Sequence, residues 1–333
     1  MREIYFLIIL LIFSGACGTF SEYTQDNSID IDSQILLPFE KNGAWGYMNE
    51  KEKIIIGERY LRTFRFKENR GRFITFSSQT GFIDKTGREI VPPFYEDACD
   101  FNEGVAAVKQ NGLWGFVNTN GILVIQCQFK SVKEFRENKA AVYNNNRWGF
   151  ININNFWYLN FSFNDCHSFY NNLAAVYLNG LWGYIDRTQQ YVIRPMFEDA
   201  GDFEDELAPV KISGKWGYIN KRGEFIILPQ FDYAGNFKEN LARIKKGISW
   251  GFISNKGEIV IPPSFDGVSD FSEGLAKVRI SDRWGFIDKT GKIVIPVRYV
   301  WAEDFFEGYA ACKDEYNRML YIDKTGKELY PLR

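Results

Sequence analysis

Residues 271–296, FSEGLAKVRISDRWGFIDKTGKIVIP, hold one complete unit of a pattern that repeats through most of the chain. Trp-Gly recurs at Trp45, Trp114, Trp148, Trp182, Trp216, Trp250 and Trp284, and from Trp114 onward every step is 34 residues. The gap of 69 between Trp45 and Trp114 holds a further copy, Thr80 to Asp84, that has lost its Trp. Met319 to Asp323 is a degenerate last copy. A fixed period of this length is the signature of a repeat architecture, here of about nine units.

Three strand signals lie within the unit, each bounded by turn chemistry. They are Leu275 to Ile280, Arg283 to Ile287 and Lys292 to Ile295. Asn111-Gly112 and Asn179-Gly180 supply the positive-φ pair of a tight hairpin between the first two strands. Asp-x-x-Gly, as in Asp84…Gly87, Asp288…Gly291 and Asp323…Gly326, suits a type I turn with a bulge before the third strand. Pro92, Pro195, Pro229, Pro262 and Pro296 are expected to end the ladder, because proline has no N–H to donate. The unit therefore reads as a three-stranded antiparallel meander.

Side chains alternate along a strand, so Trp284 and Phe286 share one face while Gly285 and Ile287 share the other. Ile293 and Ile295 face one way and Val294 the other. With apolar groups on both faces, each sheet is expected to be covered twice, by the copies before and after it. The Gly beside each Trp leaves a flat face, and each indole is expected to pack against a neighbouring copy. Phe101, Phe135, Phe169, Phe203, Phe237, Phe271 and Phe305 recur in the connections and are expected to staple them. This places most of the 17% aromatic content in the core. Propeller blades usually have four strands in 40–50 residues, in rings of about 4–8. Three strands in 34 residues, repeated about nine times, point instead to an all-β open, curved solenoid or superhelix. A closed propeller-like ring is the alternative.

The N-terminus has a different character. Ile4 to Phe13 is a continuous apolar run behind a short charged start, followed by the small residues Ser14, Gly15 and Ala16 and then Cys17. That is the layout of a signal peptide, and the run falls well short of the roughly 20 residues of a membrane-spanning helix. The junction resembles a lipobox, with Ser14 where Leu is usual, which implies cleavage after Ala16 and lipidation of Cys17. Residues 1–16 are thus read as signal peptide, 17–34 as lipidated Cys and flexible tether, and 35–333 as the β array. Acyl chains on Cys17 would hold the protein to a membrane at about 0.8 kcal/mol per buried CH₂.

Little in the sequence suggests chemistry. The net charge is −2, with Lys and Arg scattered rather than clustered, which argues against nucleic-acid binding. Cys99, Cys127, Cys166 and Cys312 have no close spacing of a zinc site and are expected to be buried free thiols. The single histidine, His167, is read as a surface-turn residue. Asp100, Asp202, Asp270 and Asp304 occupy one repeat position before Phe and are read as turn or cap residues, since a residue needed once by catalysis does not recur in copy after copy. No catalytic residue, metal site or cofactor is assigned. Trp157 and Trp301 break the period, so repeat packing does not account for them. They are the candidate ligand-binding residues, because exposed rings stack on sugars or grip peptides.

Trp-Gly-[Phe/Tyr]-Ile-[Asp/Asn], the turn Gly, Ile-Val-Ile-Pro and the lead-in Phe-x-Glu-[Gly/Asn]-Leu-Ala together resemble the WG-repeat (KWG) family. The resemblance spans roughly Leu36 to Leu332 and departs at Thr80, at Met319-Leu320 and from Asn152 to Phe163. It implies a repeat module without shared catalytic residues. The expected function is a membrane-tethered scaffold that binds an envelope protein or peptide, without catalysis. A carbohydrate or peptidoglycan binder using exposed aromatics is the alternative. The expected location is exported and lipid-anchored, foremost at a bacterial outer membrane.

Overall fold

The computed structural model describes residues 33–154 and 157–330, and the side chains of all of these but 157–161. Residues 1–16, read above as a signal peptide, and Cys17 lie outside the described residues. Nine small antiparallel sheets follow one another in chain order, the first with three strands and the other eight with four. They stand around one axis as a nine-bladed β-propeller. Blade 3 shows the plan: Asp97–Ala98 beside the axis, then Val105–Gln110, Leu113–Asn118 and, at the rim, Leu123–Phe129.

The open solenoid is therefore corrected to a closed ring, and the cause is a missed strand. The innermost strand is only two residues long in most blades, as in Asp97–Ala98, Asp199–Ala200 and Trp301–Ala302. It lies in the lead-in to the next unit, where no alternation is long enough to mark it. Closure is made by side chains. Leu37, Phe39 and Met48 of blade 1 share one buried cluster with Ala311, Tyr321 and Leu329 of blade 9.

The turns form as their residues dictate. Asn111 (φ 51°) and Gly112 (φ 75°) are both left-handed, as a tight hairpin between right-twisted strands requires. At the second turn the Gly291 N–H donates to Asp288 O (2.9 Å), and the register slips between Phe286 and Ile287. Proline does not end the ladder, however. The outer strand runs from Ile293 through Pro296 to Tyr299, which pairs with Trp284. An outer strand has no neighbour on its rim side, so a missing N–H there costs little and also discourages edge-to-edge pairing.

The Gly after each Trp has a different role from the one expected. A Cβ on Gly217 would lie 2.5 Å from Ile227 O and 2.7 Å from Pro229 N. The space is filled by the bulged outer strand of the same blade, not by a neighbouring copy. The expected double cover is found, with blade 3 sharing one buried cluster with blade 2 (Phe82, Ala106) and another with blade 4 (Phe116, Phe135), but it stops at the rim. Ile295 is fully buried, whereas Ile293 and Val294 are 47% and 40% exposed at the rim.

The indoles do sit at blade junctions. Trp114 packs on a cluster that joins Val105 and Phe116 of blade 3 to Phe135 and Val142 of blade 4. The connection staples are regular: the aromatic two residues after each Trp position meets the lead-in Phe of the next blade. Ring centroids are 4.9 Å apart for Phe116–Phe135, Phe252–Phe271 and Phe286–Phe305, in edge-to-face geometry. That arrangement adds about 0.5–1.5 kcal/mol beyond area burial.

Candidate functional site

Among the described residues blade 1 has no innermost strand, and its first strand, Leu36–Lys41, is the equivalent of the second strand elsewhere. In complete blades a lead-in N–H donates to the middle of that second strand, as Cys99 N to Ala107 O (2.9 Å) and Glu303 N to Ala311 O (2.8 Å). The equivalent acceptor in blade 1, Pro38 O, takes the Tyr321 hydroxyl of blade 9 at 2.7 Å. Burial pushes the Tyr321 phenol far above its ordinary range, so it stays a neutral donor.

Arg65 completes the seam. It stands at the repeat position of Asp100, Asp202, Asp270 and Asp304, one residue before the lead-in Phe. Its guanidinium donates to Phe306 O (2.9 Å) and Tyr309 O (3.0 Å) and lies 5.1 Å from the Tyr321 ring centre. An arginine of blade 2 thus reaches blade 9 past the place where, among the described residues, blade 1 has no strand.

This leaves a cavity of about 1260 Å³ beside the axis, walled by blades 1, 2, 3, 8 and 9. Trp301 lines it and is 38% exposed. In blades 3, 5 and 6 the same position holds Asp97, Asp165 or Asp199, each accepting the following backbone N–H, as Ala98 N to Asp97 Oδ1 at 2.8 Å, while blades 4, 7 and 8 carry Ser131, Tyr233 and Gly267 there. Trp301 has no such local task, and its ring faces the cavity opposite Lys313, its cross-strand partner. The other candidate, Trp157, opens the outer strand of blade 4 and pairs with Ile151. It is on the rim of a blade that contributes nothing to the cavity wall, and its side chain lies outside the described atoms.

The charges on the cavity wall do not balance. Two of its carboxylates are paired between blades: Asp100 with Arg72 (2.7 Å) and Asp304 with Lys277 (3.4 Å). Glu40 accepts the Gly43 N–H at 2.8 Å. Among the described residues Arg62, Lys67 and Lys313 line the wall without a carboxylate partner. The Lys67 ammonium lies 3.6 Å from the Phe306 ring centre, and Arg62 lies 5.0 Å from that of Phe64.

The recurring aspartates are not turn or cap residues. They bridge consecutive blades around the axis, as Asp100 and Asp304 do, and as Asp270 does with Arg243 at 2.9 Å. Burial pushes the Asp270 carboxyl up, against the pull of Arg243. His167 is corrected likewise. It belongs to this inner circle, with Nδ1 2.9 Å from Asp202 Oδ1 and its ring 4.9 Å from that of Trp182. The acids that do cap turns are others, two residues after the lead-in Phe: Glu103 accepts Glu137 N and Asn138 N, both at 2.7 Å. Cys166 and Cys312 are buried free thiols as expected, whereas Cys99 is exposed and Cys127 half-buried. Among the described residues no three His, Cys, Asp or Glu side chains group as metal ligands would.

The sequence singles out Trp301 because this residue breaks the period. Periodicity alone misses Arg62, Arg65, Lys67 and Lys313, although aligning Arg65-Phe66 with the Asp-Phe of later units exposes the charge reversal.

Comparison with known proteins supports the architecture. The chain resembles a eukaryotic initiation factor of known crystal structure, with 13% identity, a TM-score of 0.64, and 89% of this chain and 95% of that one covered. It also resembles the computationally designed Ika8 protein, with 10% identity, a TM-score of 0.51, and coverage of 86% and 99%. Both likenesses concern the fold alone. No curated protein matches the sequence. The model of the WG containing repeat matches seven consecutive segments, 81–114, 114–148, 148–182, 182–216, 216–247, 250–284 and 284–315. With the regular Trp-Gly hairpins and the aromatic staples between blades, these matches make the chain a member of the WG-repeat family.

Proposed function

We propose that this propeller is a binding scaffold at the cell envelope, tethered through a lipidated Cys17, and that it holds a protein or peptide segment in the cavity beside the seam. The observation that carries the reading is that Trp301, Arg62 and Arg65 replace aspartates that blades 3 and 6 carry at the same repeat positions, and that all three line one cavity together with Lys67 and Lys313. The cavity, about 1260 Å³ and half open to solvent, has room for a chain segment. A sugar-binding platform is less well supported, since one exposed ring among unpaired cations is not a row of stacking faces. No pair of free carboxylates or nucleophile with a positioned base faces the cavity among the described residues, so the reading includes no catalysis.

The test is a photo-crosslinking amino acid placed at Trp301 in cells that express the protein. A discrete protein adduct there, absent with the same group at Leu228 on the outer strand of blade 6, supports the reading. Adducts at the rim only would contradict it. The tether is tested separately by palmitate labelling, which Cys17→Ala abolishes if that cysteine carries the lipid.

A further inference from the structure

The chemistry of the occupant follows from the charges that the fold leaves unpaired. The cavity is lined by six cations (Arg62, Arg65, Lys67, Lys277, Lys313 and Arg318) against four carboxylates (Glu40, Asp100, Glu303 and Asp304), in a chain whose net charge is −2. Asp100 is neutralised by Arg72, which reaches it from outside the wall, and Arg318 is neutralised by Asp314 (2.6 Å) in the same way. Lys277 and Asp304 neutralise each other. Arg62, Arg65, Lys67 and Lys313 then face Glu40 and Glu303, and Glu40 is already engaged in its own turn. The remaining field is positive.

The shape is that of an extended strand. Arg62 and Lys67 are the two ends of one strand, Arg62–Lys67, and both line the cavity. The five steps between them, at about 3.3 Å each, put their Cα atoms at most about 17 Å apart, with a register shift between Thr63 and Phe66 on the way. The Trp301 ring supplies the exposed apolar surface on the wall, while the half-buried Phe64 and Phe306 rings are covered by Arg62, Arg72 and Lys67. A carboxylate-bearing chain of five or six residues fits both the length and the spacing of charge, and charge-assisted contacts to carboxylates are the stronger kind of hydrogen bond.

We infer that the seam cavity takes an extended acidic peptide segment, with carboxylates on Arg62, Lys67 and Lys313 and an apolar or aromatic side chain on Trp301. This rests on the peptide-binding reading above and specifies the partner. Arg65 is excluded from the ligand contacts because it is spent on the Phe306 and Tyr309 carbonyls, and it serves to hold the wall.

The experiment measures fluorescence anisotropy of labelled octapeptides on the full mature chain. One peptide carries four glutamates around a tyrosine and its twin carries glutamine at those four places; trigalacturonate is the glycan competitor. The glutamate peptide is expected to bind at least tenfold tighter than its twin in 50 mM NaCl. That margin shrinks in 0.5 M NaCl, where exposed charges are screened within a few ångströms. The triple variant Arg62→Ala, Lys67→Ala, Lys313→Ala is expected to lose tenfold or more for the glutamate peptide only, and Lys246→Ala to lose nothing. Both must melt within a few degrees of the parent. Equal binding of the two peptides, with Trp301→Ala weakening both, overturns the acidic preference and leaves the peptide site standing. No binding of either peptide, or no effect of Trp301→Ala, removes both. Displacement by trigalacturonate at lower concentration than by unlabelled peptide overturns the peptide class. The chain's own stretch from residue 18 to 32 carries Glu22, Asp26, Asp30 and Asp32 and no cation. Binding that emerges only when these four are changed to their amides would show that stretch to be the occupant and overturn a foreign one.

Discussion

The Tyr321 hydroxyl donates a 2.7 Å hydrogen bond to the carbonyl of Pro38, 283 residues earlier in the chain. It occupies the acceptor that a lead-in N–H uses in the complete blades, so among the described residues the seam is sealed there by a side chain. Tyr321→Phe keeps the ring and removes the bond. The expected loss is about 1 kcal/mol, with more for the donor-less buried carbonyl if water does not reach it. Hydrogen exchange should speed up first in Leu36–Lys41, ahead of the other second strands. Unchanged exchange there would contradict this role.

The Gly after Trp is a requirement of the bulge. Gly217→Ala places a methyl 2.5 Å from Ile227 O, and that backbone has to move. The expected destabilisation is about 1–3 kcal/mol or more. Gly57 stands on an outer strand where an added Cβ would meet nothing within 4 Å, so Gly57→Ala should stay within about 0.5 kcal/mol of the parent. Denaturant midpoints compare the two, and similar effects would contradict the bulge as the cause.

Blade-to-blade adhesion depends on the lead-in Phe. Phe135 is 2% exposed and meets Phe116 edge to face. Phe135→Ala should destabilise by about 3–5 kcal/mol, as for other buried aromatics. Phe135→Leu should recover much of that by restoring volume, leaving a deficit near the ring–ring contribution. Calorimetric melting gives the order, and an Ala variant as stable as the parent would contradict it.

How much of this can be read from the sequence varies with the length of the signal. Arg283 to Ile287 is legible to the residue, because Trp-Gly-Phe-Ile alternates between two turns of defined chemistry. The lead-in Phe residues are recognisable as staples for the same reason, since they recur at fixed spacing. The innermost strand is not legible, because two residues such as Asp97–Ala98 carry no period, and without it the blade looks one strand short of a propeller. The closure is hidden for a different reason. Met319 to Asp323 and Arg65-Phe66 look like degraded copies, whereas Tyr321, at the usual aromatic position, and Met319 pack blade 9 on blade 1, and Arg65 joins it to blade 2. Trp301 is legible as an exception, but its purpose depends on neighbours from four other blades, which no local pattern links.

The Asp-led turns before the outer strands make the fold sensitive to acid. Hydrogen bonds from the Thr188 and Thr290 hydroxyls hold the Asp186 and Asp288 carboxyls below the usual carboxylate range, and backbone N–H groups add to this. A carboxyl with a depressed folded pKa contributes stability above its unfolded value, near 4, and loses it as pH falls toward the folded value. The melting temperature should therefore drop between about pH 5 and pH 3. Asn118 serves the same turn, accepting from Asn120 N and Ile122 N, both at 3.0 Å. Asp186→Asn with Asp288→Asn should then keep most of the stability at pH 7 and flatten the acid limb. An acid limb as steep as the parent's would show that the sensitivity lies elsewhere.

The closed ring itself is tested most directly by distances between spin labels on equivalent turn residues, with Cys99 and Cys127 changed to Ala. Thr290, Thr325 and Lys51 are exposed and occupy one repeat position in blades 8, 9 and 1. A nine-bladed ring requires the Thr325–Lys51 distance to match the Thr290–Thr325 distance between two ordinary neighbours. A Thr325–Lys51 separation several times longer would mean that the first and last units stand at opposite ends of an open array, with neither seam nor cavity.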